Sequence, residues 1–225
     1  MAATKTYYMK KNFYLLFLSF LMISFAKAQI KKDSWLLGGQ ISFGGITTES
    51  AGNEVKNNGY TFQLSAGKAL RDNRVLGANL FYAGGRQTFY NGFEQGKLTY
   101  HDYGVGMFYR LYKTLGKDFF FFGQSNADFN WRDSKSEFPT TINDYNTNGW
   151  GLRIALTPGI AYAVTPKFHL ELTLPGLFGL GYNYSRTEYV NGQTPDIITR
   201  EFNGFTSLSN ISQAGALGVG FRLIL

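Results

Sequence analysis

From Trp150 to Val164 the chain alternates with a period of two. Trp150, Leu152, Ile154, Leu156, Ile160, Tyr162 and Val164 share one parity, and Gly151, Arg153, Ala155, Thr157 and Gly159 share the other. Successive side chains of an extended strand point to opposite faces, so this run is a strand with one apolar and one polar side. The pattern recurs. Tyr60, Phe62, Leu64 and Ala66 oppose Thr61, Gln63 and Ser65; Val105, Met107, Tyr109 and Leu111 oppose Gly104, Gly106 and Arg110. Leu217, Val219, Phe221, Leu223 and Leu225 oppose Ala216, Gly218, Gly220 and Arg222. Alternation is weaker in FFFFGQSNADFNW, where Gln124, Asn126, Asp128 and Asn130 still share a face.

Eight strands are expected, at 34–45, 59–69, 75–89, 98–112, 119–132, 148–164, 167–185 and 211–225. Their connections alternate: turns at 71–74, 113–118 and 165–166, loops at 46–58, 90–97, 133–147 and 186–210. A soluble sandwich has no reason to sort its connections by length. Each strand is long enough to cross a bilayer at a tilt, which takes about 9–11 residues. A chain that enters hydrocarbon with strands must close them, because lipid offers no partner to an open edge. The expected fold class is therefore all-β, an eight-stranded antiparallel up-and-down transmembrane β-barrel, polar inside and apolar outside.

Aromatic residues, 17% of the chain, fall in two tiers on the apolar faces. Trp35, Tyr109, Phe119, Tyr162, Phe168 and Phe221 lie near the turns; Phe43, Tyr60, Tyr82, Phe129, Trp131, Trp150 and Tyr182 lie near the loops. Phe119 to Phe129 is ten steps of about 3.4 Å which, tilted by about 45°, span roughly 24 Å, the height of a membrane-facing band. The core of a soluble β-protein predicts no such banding.

Residues 1–28 read as a secretory signal: Lys10 and Lys11, an apolar run from Phe13 to Phe25, then Ala26-Lys27-Ala28. The run is too short for a membrane helix. Met9 is the better expected start. Cleavage before Gln29 leaves residues 29–225 as one barrel domain. The signal takes four of the 22 basic residues, so 18 remain against 15 acidic ones, a charge of +3 instead of +7. Nothing in that balance points to nucleic acid. The chain has no cysteine, which excludes disulfides and a lipid-modified N-terminal cysteine.

Six ionisable residues take the inward parity: Asp102, Arg110, Asp128, Arg153, Glu171 and Arg222. Matching the hairpins groups Asp102, Asp128 and Arg153 in an upper cluster and Arg110, Glu171 and Arg222 in a lower one. Each cluster mixes signs, as buried charge must. Small inward residues, Gly38, Gly77, Gly104, Gly106, Gly159 and Gly218 among them, give room in an interior only as wide as its side chains. A polar core that fills the lumen is the first reading, and a gate or small binding site the second. His169 and Glu171 form H-x-E without a third ligand, so His169 is expected at a solvated rim; His101 points outward near the loops. No metal site, phosphate loop, HExxH or CxxC motif is present, and neither Ser125 nor Ser185 is spaced for a histidine-activated nucleophile. No catalytic residue, metal or cofactor is assigned.

These features together resemble the small eight-stranded outer-membrane proteins, the OmpA-transmembrane and OmpX type, over residues 30–225. The Lys- and Asn-rich style resembles the outer-membrane β-barrel domain family of Bacteroidota. The resemblance implies a place in the outer membrane of a Gram-negative bacterium. It implies lipid, lipopolysaccharide and the barrel-assembly machinery as partners, with the extracellular partner unspecified. It also implies a closed or gated lumen, with Glu171, Arg222, Asp128 and Arg153 at the positions of the inner ion pairs. Two departures are expected: the last residue is Leu225 where such barrels often end in Phe or Trp, and no peptidoglycan-binding domain follows.

Overall fold

The computed structural model describes residues 30–50, 53–90, 95–138, 144–174, 176–190, 194–206 and 217–225. The expected signal, 1–28, lies outside them. Ten strand segments follow in order: β1 (Trp35–Ser50), β2 (Asn53–Arg71), β3 (Arg74–Tyr90), β4 (Gln95–Thr114), β5 (Phe119–Glu137), β6 (Tyr145–Thr165), β7 (Phe168–Thr173), β8 (Phe178–Tyr189), β9 (Ile197–Thr206) and β10 (Gly218–Ile224). Every pairing among the described residues is antiparallel. β6 pairs with both β7 and β8, so these form one interrupted stave. β10 pairs with β7 and β9 with β8, so β9 and β10 form the last stave. The result is a ring of eight staves, closed where β10 meets β1. Trp35 and Leu225 exchange two backbone hydrogen bonds, of 3.0 and 2.8 Å, at the foot of that seam.

The facing assignment follows the alternation. Leu64, Ile154 and Val219 are 66%, 62% and 62% exposed on the outer wall, whereas Phe122 is 0% exposed inside. Both tiers of outer aromatics form contacts. Phe119 packs on Tyr162 and Phe168 on Phe221 near the turns; Phe43–Phe62, Tyr60–Tyr82–Tyr103 and Phe129–Trp150–Tyr182 run near the loops.

The strands run on past the expected loop boundaries. Within 46–58 the described residues stay paired: Thr47 opposes Lys56 and Ser50 opposes Asn53. β5 reaches Glu137 and β6 begins at Tyr145. Hydrophobic alternation ends at the upper girdle because water replaces lipid there, but backbone pairing needs no apolar face and continues. The long–short alternation of connections is thus an asymmetry of strand extension instead. The expected loop 186–210 contains β9, whose short, weakly amphipathic sequence IITREFNGFT hid it. The expected seventh strand, 167–185, breaks between Thr173 and Phe178 around Gly176, at φ 64°. The expected eighth, 211–225, is seen as Gly218–Ile224, and 211–216 lies outside the described residues. Twelve positions separate Thr206 from Gly218, whereas five separate their partners Phe178 and Thr173.

Candidate functional site

The lumen has a dry base and a wet upper half. At the base, Phe108, Phe120, Phe122, Val75 and Leu36 are fully buried with Ile30, which reaches in from the segment before β1. Asn73 fastens that segment: Ile30 donates its backbone N–H to Asn73 Oδ1 at 3.1 Å, and Asn73 N–H donates to the Ile30 carbonyl at 2.9 Å. Asn73 takes a positive φ of 61° in the tight Asp72-Asn73 turn, a conformation asparagine tolerates. This base is apolar, contrary to the expectation of a polar filling throughout. The FFFF run broke the alternation, and Phe120 and Phe122 took the inner parity. Inward glycines admit the rings: a Cβ at Gly77 would overlap Phe108, and one at Gly159 would overlap Phe122.

Above the rings, Glu171 on β7 is held by two arginines. Arg110 Nη1 donates to Oε1 at 2.6 Å; Arg222 Nε donates to Oε1 at 3.2 Å and its Nη2 to Oε2 at 3.0 Å. Tyr112 Oη lies 3.3 Å from the same Oε1. Arg110 also donates to Gln124 Oε1 at 2.6 Å, and its guanidinium sits 4.1 Å from the Phe122 ring centroid. Arg222 Nη1 donates to Ser65 at 2.6 Å, and Gly38 leaves the space its guanidinium fills. All three charged side chains are at most 5% exposed. A charge this dry is tolerable only with its partners in place.

The upper charges sit differently. Arg153 Nη2 donates to Asp128 Oδ2 at 3.1 Å, directly across the β5–β6 ladder. Asp102 does not join them. It accepts two bonds from Arg132, of 2.8 and 2.7 Å, its opposite number on β5. The expected match placed the hairpin axis near 115, but Thr114 opposes Phe120, so the axis lies at 117 and Asp102 faces 132 instead of 128. Arg132 was missed because the expected strand ended there, although it shares the parity of Asp128 and Asn130. The Arg153 and Arg132 side chains are 47% and 52% exposed, against 5% for Arg222. Arg132 faces a cavity of about 530 Å³ lined also by Asn57, Tyr100, Asp102, Asn130, Asn183 and Glu201, among others.

Neither histidine reaches this cavity. His169 is 2% exposed and stacks on Phe120 within the base, which corrects its expected place at a solvated rim. β7 places His169 and Glu171 on successive inward positions, with His169 nearer the turn. His101 is on the outer wall, its Nδ1 2.7 Å from Tyr82 Oη. Among the described residues no group of three His, Cys, Asp or Glu could hold a metal ion.

Comparison with known proteins agrees with a closed ring that is apolar outside and polar inside. The outer membrane protein OprG from Pseudomonas aeruginosa superposes with a TM-score of 0.51 at 10% identity, covering 87% of this chain and 97% of that one. The fold is a transmembrane β-barrel. A major outer membrane protein from Thermus thermophilus matches with a TM-score of 0.44 at 13% identity, over 85% of this chain and 99% of that one. Neisserial surface protein A matches with a TM-score of 0.39 at 14% identity, over 84% and 96%. The barrel is thus built like that of OprG. No protein-family model matches it, and no curated protein does.

Proposed function

We propose that this barrel is a non-enzymatic protein of the outer membrane of a Gram-negative bacterium, sealed to through-flow, which supports the envelope and presents its extended strands outside the cell. Its partners on this reading are outer-membrane lipid and lipopolysaccharide around the wall and the barrel-assembly machinery during insertion. The sealed base carries the reading: the Arg110–Glu171–Arg222 layer lies on the Phe108–Phe120–Phe122 rings, and Ile30 closes them from below. A solute crossing there would have to displace three desolvated charges and a packed apolar layer. Hydrolysis of the histidine-assisted kind has no support, since one histidine is sealed in the base and the other faces lipid.

Planar-bilayer recording of the refolded, mature barrel tests this. The expected result is a quiet bilayer under applied voltage, with Glu171→Ala raising the current. Discrete ohmic steps from the wild-type protein would overturn the sealed reading and favour a narrow channel.

A further inference from the structure

The turn end of the barrel carries more than the whole of its net positive charge. Lys68 and Arg71 end β2, Arg74 opens β3, and Lys113 stands at the foot of β4. Lys31 and Lys32 precede β1, Lys117 lies in the β4–β5 turn and Lys167 in the β6–β7 turn. Against these eight basic side chains stand three acids, Asp33, Asp72 and Asp118, so this end is at +5. Residues 29–225 hold 18 basic and 15 acidic side chains, +3, which leaves −2 for everything else. We propose that this rim binds the phosphates of anionic phospholipids in the leaflet around it. The proposal rests on the outer-membrane placement of the preceding section, with the short turns toward the periplasm, and is independent of the sealed base.

Two of the three acids are engaged. Asp33 Oδ1 lies 3.0 Å from Lys68 Nζ, and Asp72 Oδ1 accepts the Lys32 backbone N–H at 2.9 Å. Among the described residues Arg71, Arg74, Lys113, Lys117 and Lys167 have no ion-pair partner, and all five are exposed. Arg71 and Arg74 stand directly opposite one another at the end of the β2–β3 ladder. Like charges so placed repel. A phosphate offers acceptors to both guanidiniums at once and turns the repulsion into a site.

Position on the wall selects a lipid over a polymer lying beneath the barrel. Arg74 and Lys113 carry the outward parity, two residues nearer the turns than Leu76 and Leu111, which are 39% and 46% exposed. Lys68 shares that parity and stands opposite Trp35 of the lower aromatic tier. An acyl chain lying on such a leucine puts its headgroup at the level of the cation, and the apolar stem of lysine or arginine runs along the wall to meet it. The cations recur at all three described turns, so they trace a perimeter. An anionic leaflet attracts each basic residue held at its surface.

Brominated lipids test this. Trp35 is one of three tryptophans, and Trp131→Phe with Trp150→Phe leaves it alone at the rim. The barrel is refolded in equimolar phosphatidylcholine and phosphatidylglycerol with one or the other brominated, and quenching of Trp35 gives their relative affinity. The expected result is a preference of about fivefold for phosphatidylglycerol, the worth of one well-placed cation. It should vanish when Lys68→Gln, Arg71→Gln, Arg74→Gln and Lys167→Gln are combined, and in about 1 M sodium chloride, where charges act over only about 3 Å. With Trp150 as the sole tryptophan, at the upper tier, no preference is expected. Should a variant fail to assemble, the wild-type barrel lifted from mixed nanodiscs and weighed with its bound lipids reads the same preference. Equal quenching of Trp35 by both lipids, the same preference at Trp150, or a preference that survives both the variant and salt would overturn the proposal alone. So would retention on purified cell-wall sacculi without a lipid preference, which would put a wall polymer in the lipid's place. Quenching by neither lipid would overturn the membrane placement as well, so the two failures are distinguishable.

Discussion

Arg110 Nη1 meets Glu171 Oε1 at 2.6 Å across the lumen, joining β4 to β7, three staves away around a ring of eight. A barrel wall is held by neighbour-to-neighbour ladders, and this contact ties it through the middle. Glu171→Ala should therefore destabilise by about 3–5 kcal/mol, because two guanidiniums are left buried without a counter-charge. Lys97→Ala, whose pair with Glu137 is in water at both ends, should cost about 1 kcal/mol or less. Urea unfolding of the barrel in lipid vesicles measures both. Double-mutant cycles of Glu171 with Arg110 and with Arg222 should each show coupling; additive cycles would reduce the layer to packing.

Facing decides the cost of a new charge. Ile154 is 62% exposed on the lipid wall, and Thr157 is 8% exposed inside. Ile154→Arg should cost about 2–4 kcal/mol near the midplane. Thr157→Ser keeps the hydroxyl that accepts from Asn126 at 3.1 Å and should cost less. Equal losses of folding yield in the two variants would reverse the inside and outside of β6.

Glycine positions should separate into intolerant and indifferent. A Cβ at Gly77 would overlap the Ala66 carbonyl oxygen as well as the Phe108 ring, and the backbone cannot give way. At Gly116, between β4 and β5, a Cβ would meet nothing within 4 Å. Gly77→Val should abolish the heat-modifiable mobility of the folded barrel on a detergent gel, and Gly116→Ala should leave it unchanged.

Ile30 is 2% exposed although it precedes the first strand. Ile30→Ala should destabilise by about 2 kcal/mol, the low end for a truncated buried isoleucine, since the segment can relax. The bilayer should stay quiet, because the Arg110–Glu171–Arg222 layer still closes the lumen above it. A large conductance in this variant would make Ile30 the main seal.

The sequence carried the wall of this molecule more fully than its interior. Parity alone separates Ile154 from Arg153, and lipid on one side with a crowded lumen on the other enforces that parity strictly. Interior partners follow from register, which a hairpin axis displaced by two residues corrupts: Asp102 went to Asp128 and Arg153 when its partner was Arg132. The axis between β5 and β6 was matched correctly, and there Asp128 meets Arg153. Four consecutive phenylalanines give no parity of their own, so the apolar base stayed hidden, and with it the burial of His169. The strand extensions were illegible for the opposite reason. In water a paired strand needs no hydrophobic pattern.

Those extensions bear on how the cell surface is met. β5 continues from Trp131, in the upper girdle, to Glu137, about six steps or roughly 15 Å of tilted height outside the membrane. The pairing of Thr47 with Lys56 does the same on the far side of the ring. On the proposed reading, what an antibody or a phage tail encounters is a collar of paired strands, whose neighbouring side chains come from different strands. Epitopes there are conformational, and a peptide copied from residues 46–58 would display the residues without the surface.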